Sequence, residues 1–249
     1  QMPPERRRRF YAVQAPSLVA HFPMMRVLVL TSAISLLAGW PVTAADDISL
    51  GFVDRLVSQT ENLRPEVLGL AIAAYAEALE DGHISRERLT VIDYGLPSYE
   101  ERLWVIDMET ATVLFEEIVA HGMGSPRGSG GDMETAKDFS NLHGSKKSSL
   151  GLFVTAETYQ GQHGYTLRLD GLEEGVNDNA RERLIVIHSA HYVTDDRADD
   201  RMVGRSWGCP VVRPEISREL IDAIKDGSAL WIYYPDEDWL EESEFLDEE

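Results

Sequence analysis

The sequence predicts a mainly β fold with a few helices, an α+β protein with a β-rich core and an N-terminal helical cap. Short runs of β-branched and aromatic residues recur along the chain, and turn-forming residues separate them. Strong helical periodicity is confined to two stretches. With 249 residues, 43% of them hydrophobic, the chain can build one substantial core.

The pattern of a leader is found in residues 24–45, after an upstream segment to which the sequence assigns no role. Residues 1–23 form an upstream segment without apolar periodicity, and residues 24–45 are predicted to be a secretory signal peptide. Arg26 precedes the apolar run Val27–Leu37, and small residues before Asp46 suit cleavage. An uncleaved anchor is the alternative, but a span needs about 20 apolar residues. We expect an exported protein of the periplasm or cell envelope, without stable membrane insertion after cleavage.

Residues 46–102 form the predicted cap. A short helix is expected over Phe52–Gln59, and a longer one over Pro65–Asp81, where apolar residues recur at helical spacing. Pro65 suits the first turn of that helix and Gly82 ends it. The cap is therefore predicted to be a structural element rather than a cofactor site.

Short apolar runs separated by turn residues predict the strands, most of them in the main domain over residues 103–235. The predicted strands are Leu89–Asp93, Leu103–Asp107, Thr112–Val119, Leu150–Thr155, Tyr165–Leu169, Leu184–Ile187 and Ala229–Tyr234. Pro214–Lys225 is predicted to be a helix that Gly227 ends. Residues 236–249 are an acidic tail, expected to be solvated and mobile.

Net charge excludes one class of partner. The formal charge is -20 at pH 7, whereas binding to nucleic acid requires clustered lysine and arginine. The same charge argues against docking on an anionic membrane surface.

Candidate chemistry is concentrated in Arg183–Val212. Cys209 is the only cysteine and stands between Gly208 and Pro210, which predict a sharp turn that presents the thiol outward. His188 directly follows an apolar run, where its side chain can face a cleft. A thiol and a histidine so placed suit a nucleophile and its base. The alternative is a small buried cysteine, but a lone thiol in an oxidising compartment favours the reactive interpretation.

This segment resembles the L,D-transpeptidase catalytic domain, also called YkuD-like. His188 followed by Ser206-Trp207-Gly208-Cys209 is similar to the family's histidine and its Ser/Thr-His-Gly-Cys motif. Trp207 stands where most members have a second histidine. One branch of murein L,D-transpeptidase-like proteins has an apolar residue there, with Gly-Arg-Ser before it and Cys-Pro after it, as in Gly204–Pro210. The resemblance covers Leu103–Pro235 and implies an L,D-transpeptidase-like core, a β-sandwich or barrel.

The resemblance implies a transferase that acts on peptidoglycan stem peptides. Cys209 would attack the carbonyl of the third stem residue and release a terminal D-amino acid, with His188 handling the protons. An amine acceptor would complete an L,D-transpeptidase reaction, and water would make the protein an L,D-carboxypeptidase. Both acceptors stay open at this point, and so does a cell-wall binding protein without catalysis, which Trp207 motivates.

Further site residues are expected around the thiol. Backbone N–H groups of Gly208 and Cys209 would hold the oxyanion, and Arg205 is the expected cation near the thiol. His191 would face away from His188 in an extended chain. The polar stretch between Val119 and Gly164, with its glycines at 128–131, suits a flexible loop or a binding loop by composition, and the resemblance implies that it contacts substrate. The predicted substrate-binding residues are Arg205, Ser206, Tyr165, His163, His121, Ser140 and Asn141, with packing as the alternative for Tyr165.

No cofactor and no metal are predicted, and the sequence identifies no protein partner. A zinc protein is the remaining alternative, because the chain has enough imidazole nitrogens and a thiol to bind the ion. The spacing of these residues matches no ligand motif. They are His121, His143, His163, His188, His191 and Cys209.

Overall fold

The computed structural model describes residues 44–126 and 132–246, with side chains from residue 51 onward. The upstream segment, nearly all of the predicted signal peptide, the glycines at 128–131 and the last three residues of the acidic tail lie outside the described residues. No helix of the described part is long and apolar enough to cross a membrane.

The described residues form five helices and eight strands. The helices are α1 (Ala44–Val57), α2 (Pro65–Glu80), α3 (Asp195–Asp199), α4 (Pro214–Ile224) and α5 (Glu237–Glu242). The strands are β1 (Arg88–Asp93), β2 (Glu101–Asp107), β3 (Thr112–Ile118), β4 (Gly151–Gly161), β5 (Gly164–Gly171), β6 (Val186–Ser189), β7 (Val211–Val212) and β8 (Ala229–Tyr233).

All eight strands belong to one sheet of order β3-β2-β1-β8-β4-β5-β6-β7. The β1–β8 and β6–β7 pairs are parallel and the other pairs are antiparallel. Beyond β3, Ala120 bridges to Val211 of β7, and Gly122 bridges to Ser206. The two edges of the sheet therefore meet, and the predicted mainly β fold with a barrel-like core is confirmed.

Helix α2 buries one apolar stripe against the sheet. Val67, Leu68 and Ala71 are fully buried, and the helix contacts β1 and β8. Proline stands in its first turn, where a missing N–H costs nothing, as the sequence predicts. Strand β1 lies between β2 and β8, so the sheet extends across the domain boundary that we expected at residue 103.

Strand β6 lies two residues later than predicted. Leu184 adopts a positive φ of 57° and is 61% exposed, so it cannot belong to the buried strand that we expected over Leu184–Ile187. The strand begins at Val186, and His188 therefore lies within it rather than after it.

The described part of the acidic tail is docked on the protein, whereas we expected it to be solvated and mobile. Trp239 and Phe245 are buried, and the Trp239 ring packs 5.2 Å from that of Trp231. Glu173 accepts hydrogen bonds from Trp239 Nε1 and Ser243 Oγ. Two aromatic residues among many acids are enough to anchor the segment, because each buries a large apolar area.

Candidate active site

A tight turn presents Cys209 beside β7. Gly208 has φ 129°, and its N–H donates to Ser206 Oγ at 3.0 Å. The same hydroxyl donates to the Cys209 carbonyl at 2.7 Å, so Ser206 closes the turn from within. A Cβ at position 208 would lie 2.7 Å from the Lys147 carbonyl oxygen, so only glycine fits this position.

The Cys209 thiol is partly exposed, and its Sγ donates to the Leu184 carbonyl at 3.5 Å. Burial raises the pKa of this thiol above its ordinary value, while the Val186 N–H and the Arg183 guanidinium act in the opposite direction. Because burial is the largest effect, the resting group is a protonated thiol at neutral pH.

His188 lies on β6 in register with Val211, which is two residues after Cys209. Its side chain is buried, and its Nδ1 lies 3.0 Å from the Ser189 carbonyl oxygen. A carbonyl can only accept, so Nδ1 carries the proton and Nε2 keeps a free lone pair. Burial and the neighbouring His163 lower the pKa of His188, although the Ser189 carbonyl raises it. The imidazole is therefore neutral at neutral pH, as a base requires.

Two predicted substrate residues near β5 differ in their surroundings. His163 is exposed and stacks on His188, with ring centroids 4.3 Å apart. The Tyr165 hydroxyl instead donates to Asp222 Oδ1 at 2.7 Å, and the Arg218 guanidinium covers the ring at 4.4 Å. Helix α4 therefore holds both the ring and the hydroxyl of Tyr165, which favours the packing role over contact with substrate.

His121 lies beneath the motif turn rather than in an open cleft. It is fully buried, and its carbonyl accepts the Ser206 N–H at 2.9 Å. Its Nδ1 lies 2.9 Å from Arg102 Nη2, and since a guanidinium can only donate, this nitrogen is the acceptor. Burial, Arg102 and Arg205 hold the pKa of His121 well below 6.5. These contacts give His121 a structural role.

The described cation whose charge lowers the pKa of the Cys209 thiol is Arg183 and not Arg205, which we expected in this role. The charge of Arg205 lowers the pKa of His121 instead. Arg183 lies one residue before Leu184, whose carbonyl accepts from the Cys209 thiol. Sequence reasoning missed it because a single arginine ahead of a strand has no distinguishing pattern.

Ser140 and Asn141 form hydrogen bonds within and between loops. The Ser140 carbonyl accepts from Arg183 Nη1 at 2.6 Å and from the Ser149 hydroxyl at 3.0 Å. Asn141 donates to Asp178 at 2.6 Å and accepts from the Asn179 N–H at 3.2 Å. Both ends of the Asn141 side-chain amide therefore form hydrogen bonds with the loop that contains Asp178 and Asn179.

The oxyanion arrangement that we expected needs correction. The Gly208 N–H is already used by the Ser206 hydroxyl, so it is not free for a developing oxyanion. The N–H of Cys209 is the remaining donor of the predicted pair.

Trp207, in the family's second histidine position, is 71% exposed, with Lys146 Nζ 4.7 Å from its ring centroid.

In the described part of the chain, no group of three or more histidine, cysteine, aspartate or glutamate side chains could hold a metal ion. Of the histidines counted for the zinc alternative, His163 and His188 stack on each other. His121 is buried under the turn, and His191 is exposed and packs edge-on against Tyr192.

Comparison with solved structures gives L,D-transpeptidases at low identity. The enzyme from Mycobacterium smegmatis is 13% identical, with 59% of each chain covered and a TM-score of 0.36. The enzyme from Stackebrandtia nassauensis is 15% identical, with 81% of this chain and 87% of that chain covered and a TM-score of 0.34. The present chain thus spans less than two thirds of the mycobacterial protein. No curated protein matches the sequence.

Comparison with family profiles is decisive. The profile of the L,D-transpeptidase catalytic domain matches residues 59–233, which is more than half of the chain. The match begins earlier than the resemblance seen in the sequence and includes α2 and β1. The chain therefore belongs to the L,D-transpeptidase catalytic domain family, whose members act on peptidoglycan.

Proposed function

We propose that this protein is an exported cysteine acyltransferase, an L,D-transpeptidase that uses Cys209 as nucleophile and His188 as base on peptidoglycan stem peptides. One observation carries the proposal. A glycine turn presents the thiol beside β7, and the neighbouring β6 carries an imidazole whose Nδ1 is tied to Ser189, so that Nε2 is left as a proton acceptor.

The starting state is a neutral thiol with a neutral imidazole, since burial raises the pKa of Cys209 and lowers that of His188. His188 Nε2 takes the thiol proton as sulfur attacks the carbonyl of the third stem residue. The S–C bond forms, the C–N bond breaks, and the proton passes to the leaving D-amino acid. The Cys209 N–H is the backbone donor proposed for the oxyanion.

The thioester is then resolved by an amine of a second stem. A new C–N bond forms, the S–C bond breaks, and the amine proton returns to the thiol through His188. The same intermediate would yield a shortened stem if water took the place of the amine. Product masses therefore separate transpeptidation from carboxypeptidation.

The first experiment is incubation of the purified protein with tetrapeptide muropeptides, with products identified by mass. We expect release of the terminal D-amino acid and crosslinked dimers. Cys209→Ser should abolish both while unfolding at the same temperature as the wild type. Undiminished turnover in that variant would refute the proposal. A carbapenem should add its mass to the wild type and not to Cys209→Ser, whereas a non-catalytic binding protein would bind muropeptides without any adduct.

His188 has a matched control in the exposed His191, three residues further on. General base catalysis contributes about 100- to 10,000-fold to a rate, so His188→Gln should lose at least about 100-fold in turnover. His191→Gln should stay within about twofold. Equal turnover in the two variants would remove His188 from the mechanism.

Export is proposed from residues 24–45 and from the envelope substrate of the family. Fusion of residues 1–60 to an enzyme that is active only outside the cytoplasm should give activity. Replacement of apolar residues within Val27–Leu37 by lysine should remove that activity. A fusion that is inactive from the start would count against export.

A further inference from the structure

Arg183 is a partly buried cation whose hydrogen-bond partners are all neutral in the described structure. Its Nη1 donates to the Ser140 carbonyl at 2.6 Å and to the Ser149 hydroxyl at 2.5 Å. Its Nη2 donates to the Lys147 carbonyl at 2.7 Å and to the Ser145 hydroxyl at 3.3 Å. These four neutral groups orient the guanidinium, but none of them carries a negative charge that would compensate the charge of a partly buried cation.

The guanidinium also lies against the motif turn. Arg183 Nη2 would be 3.5 Å from a Cβ placed on Gly208, the residue before the cysteine. On the other side, Leu184 follows Arg183 directly and its carbonyl accepts from Cys209 Sγ at 3.5 Å. The turn that carries Cys209 therefore lies against the Arg183 guanidinium, and the residue that follows Arg183 contacts the sulfur directly.

Other titratable groups that face the sulfur are neutral at neutral pH. Tyr94 and Tyr192 lie near enough for the charge of Cys209 to act on them, and burial raises the pKa of each to about 12. His188, on β6, is neutral as well, because burial lowers its pKa. Among the described residues facing Cys209, Arg183 thus provides the permanent positive charge, and Cys209 is in turn the ionisable group that acts on Arg183.

We propose that Arg183 is the counter-ion of the Cys209 thiolate, a positioning residue that ties the 140–149 loop beneath the motif turn and pairs with sulfur once its proton has moved to His188. The assignment rests on the proposed function for Cys209 as the nucleophile and for His188 as the group that takes its proton. The proton passes from Sγ to Nε2, negative charge appears on sulfur, and the adjacent guanidinium stabilises it.

The test measures the thiol rather than turnover. The rate of alkylation of Cys209 by iodoacetamide is followed from pH 6 to pH 11 in the full chain, which has no other cysteine. In Arg183→Met the thiol pKa should rise by about one unit, which lowers the alkylation rate at neutral pH about tenfold. Arg183→Lys keeps the charge and should stay near the wild-type pKa.

Arg181→Met is the matched control, because Arg181 is exposed and its partners are Glu157 and Asp170. It should leave the thiol pKa unchanged. Arg183→Gln retains hydrogen-bond donors but not the charge, so it serves if the methionine variant does not fold, and it should show the same raised pKa. A role in loop structure alone would change the unfolding temperature without moving the thiol pKa.

A folded Arg183→Met or Arg183→Gln protein with the wild-type thiol pKa would overturn the proposal. Failure of the proposed function looks different. In that case substitution of Arg183 would still raise the pKa of the Cys209 thiol, while the wild-type protein would leave muropeptides unchanged.

Discussion

Glu173 offers a sharp test of how the C-terminal segment is attached. Its carboxylate is 2% exposed and accepts three hydrogen bonds, from the Leu152 N–H at 2.6 Å, Trp239 Nε1 at 2.9 Å and Ser243 Oγ at 3.0 Å. One side chain therefore joins β4 to α5 and to the residues that follow it. Glu173→Ala would leave all three donors without their acceptor.

The size of the loss follows from these contacts. A buried donor left unpaired costs about 1–3 kcal/mol, so three of them cost about 3–9 kcal/mol. Removing a carboxylate whose burial is unfavourable offsets part of this cost. We expect the free energy of unfolding of Glu173→Ala to fall by about 3 kcal/mol or more. Urea denaturation followed by tryptophan fluorescence measures it, because Trp239 packs on Trp231.

Glu174→Ala is the control, since Glu174 is the exposed neighbour and its loss should change stability by less than about 0.5 kcal/mol. If Glu173→Ala is as stable as Glu174→Ala, the argument that Glu173 anchors the tail is wrong. The pH dependence provides a second check. Burial raises the pKa of Glu173, so the folded state binds the proton of this carboxyl group more tightly than the unfolded state does. The stability that this proton binding contributes is lost as pH rises. Glu173→Gln should remove this pH dependence.

Three further predictions concern the site and its support. The depressed pKa of His121 means that the unfolded chain takes up a proton near pH 6.5 while the folded protein does not, so stability falls on acidification by up to about 1.4 kcal/mol per pH unit. His121→Asn, which can still accept from Arg102, should reduce the slope of unfolding free energy between pH 5 and 6.5, and an unchanged slope would contradict the assignment. Gly208→Ala should lose about 3 kcal/mol in thermal or urea unfolding, because its Cβ would meet a backbone oxygen at 2.7 Å and its φ is 129°; wild-type stability would show that the turn can relax. Tyr165→Phe should keep muropeptide turnover within about twofold, because the hydroxyl is engaged by Asp222, and a loss of tenfold or more would return Tyr165 to the substrate site.

Elements with strong local signals could be predicted from the sequence. Helices α2 and α4 each begin at a proline, Pro65 and Pro214, and their observed ends lie within one residue of prediction. The strands β1, β2, β3 and β8 were expected from compact apolar runs and lie within two residues of their predicted bounds. These signals act over a few residues, so no distant contact is needed to interpret them.

Predictions that depended on distant contacts fared differently. The run Leu184–Ile187 has strand composition, but the left-handed conformation of Leu184 delays β6 to Val186. The tail is acidic enough to suggest a solvated segment, yet Trp239 finds a carboxylate 66 residues earlier in the chain. In the tail, a hydrogen bond to a residue distant in the chain outweighs composition.

The sequence by itself determined the fold class, the family and the two residues on which the proposed chemistry depends, because a cysteine between glycine and proline and a histidine after an apolar run are local patterns. Only the tertiary structure decided that Arg183 rather than Arg205 is the arginine whose charge lowers the pKa of the Cys209 thiol, and that the Gly208 N–H already donates to Ser206. The physical reason is that electrostatic and hydrogen-bond partners are set by which strands pair and how the loops close, and neither is written in the spacing of residues along the chain.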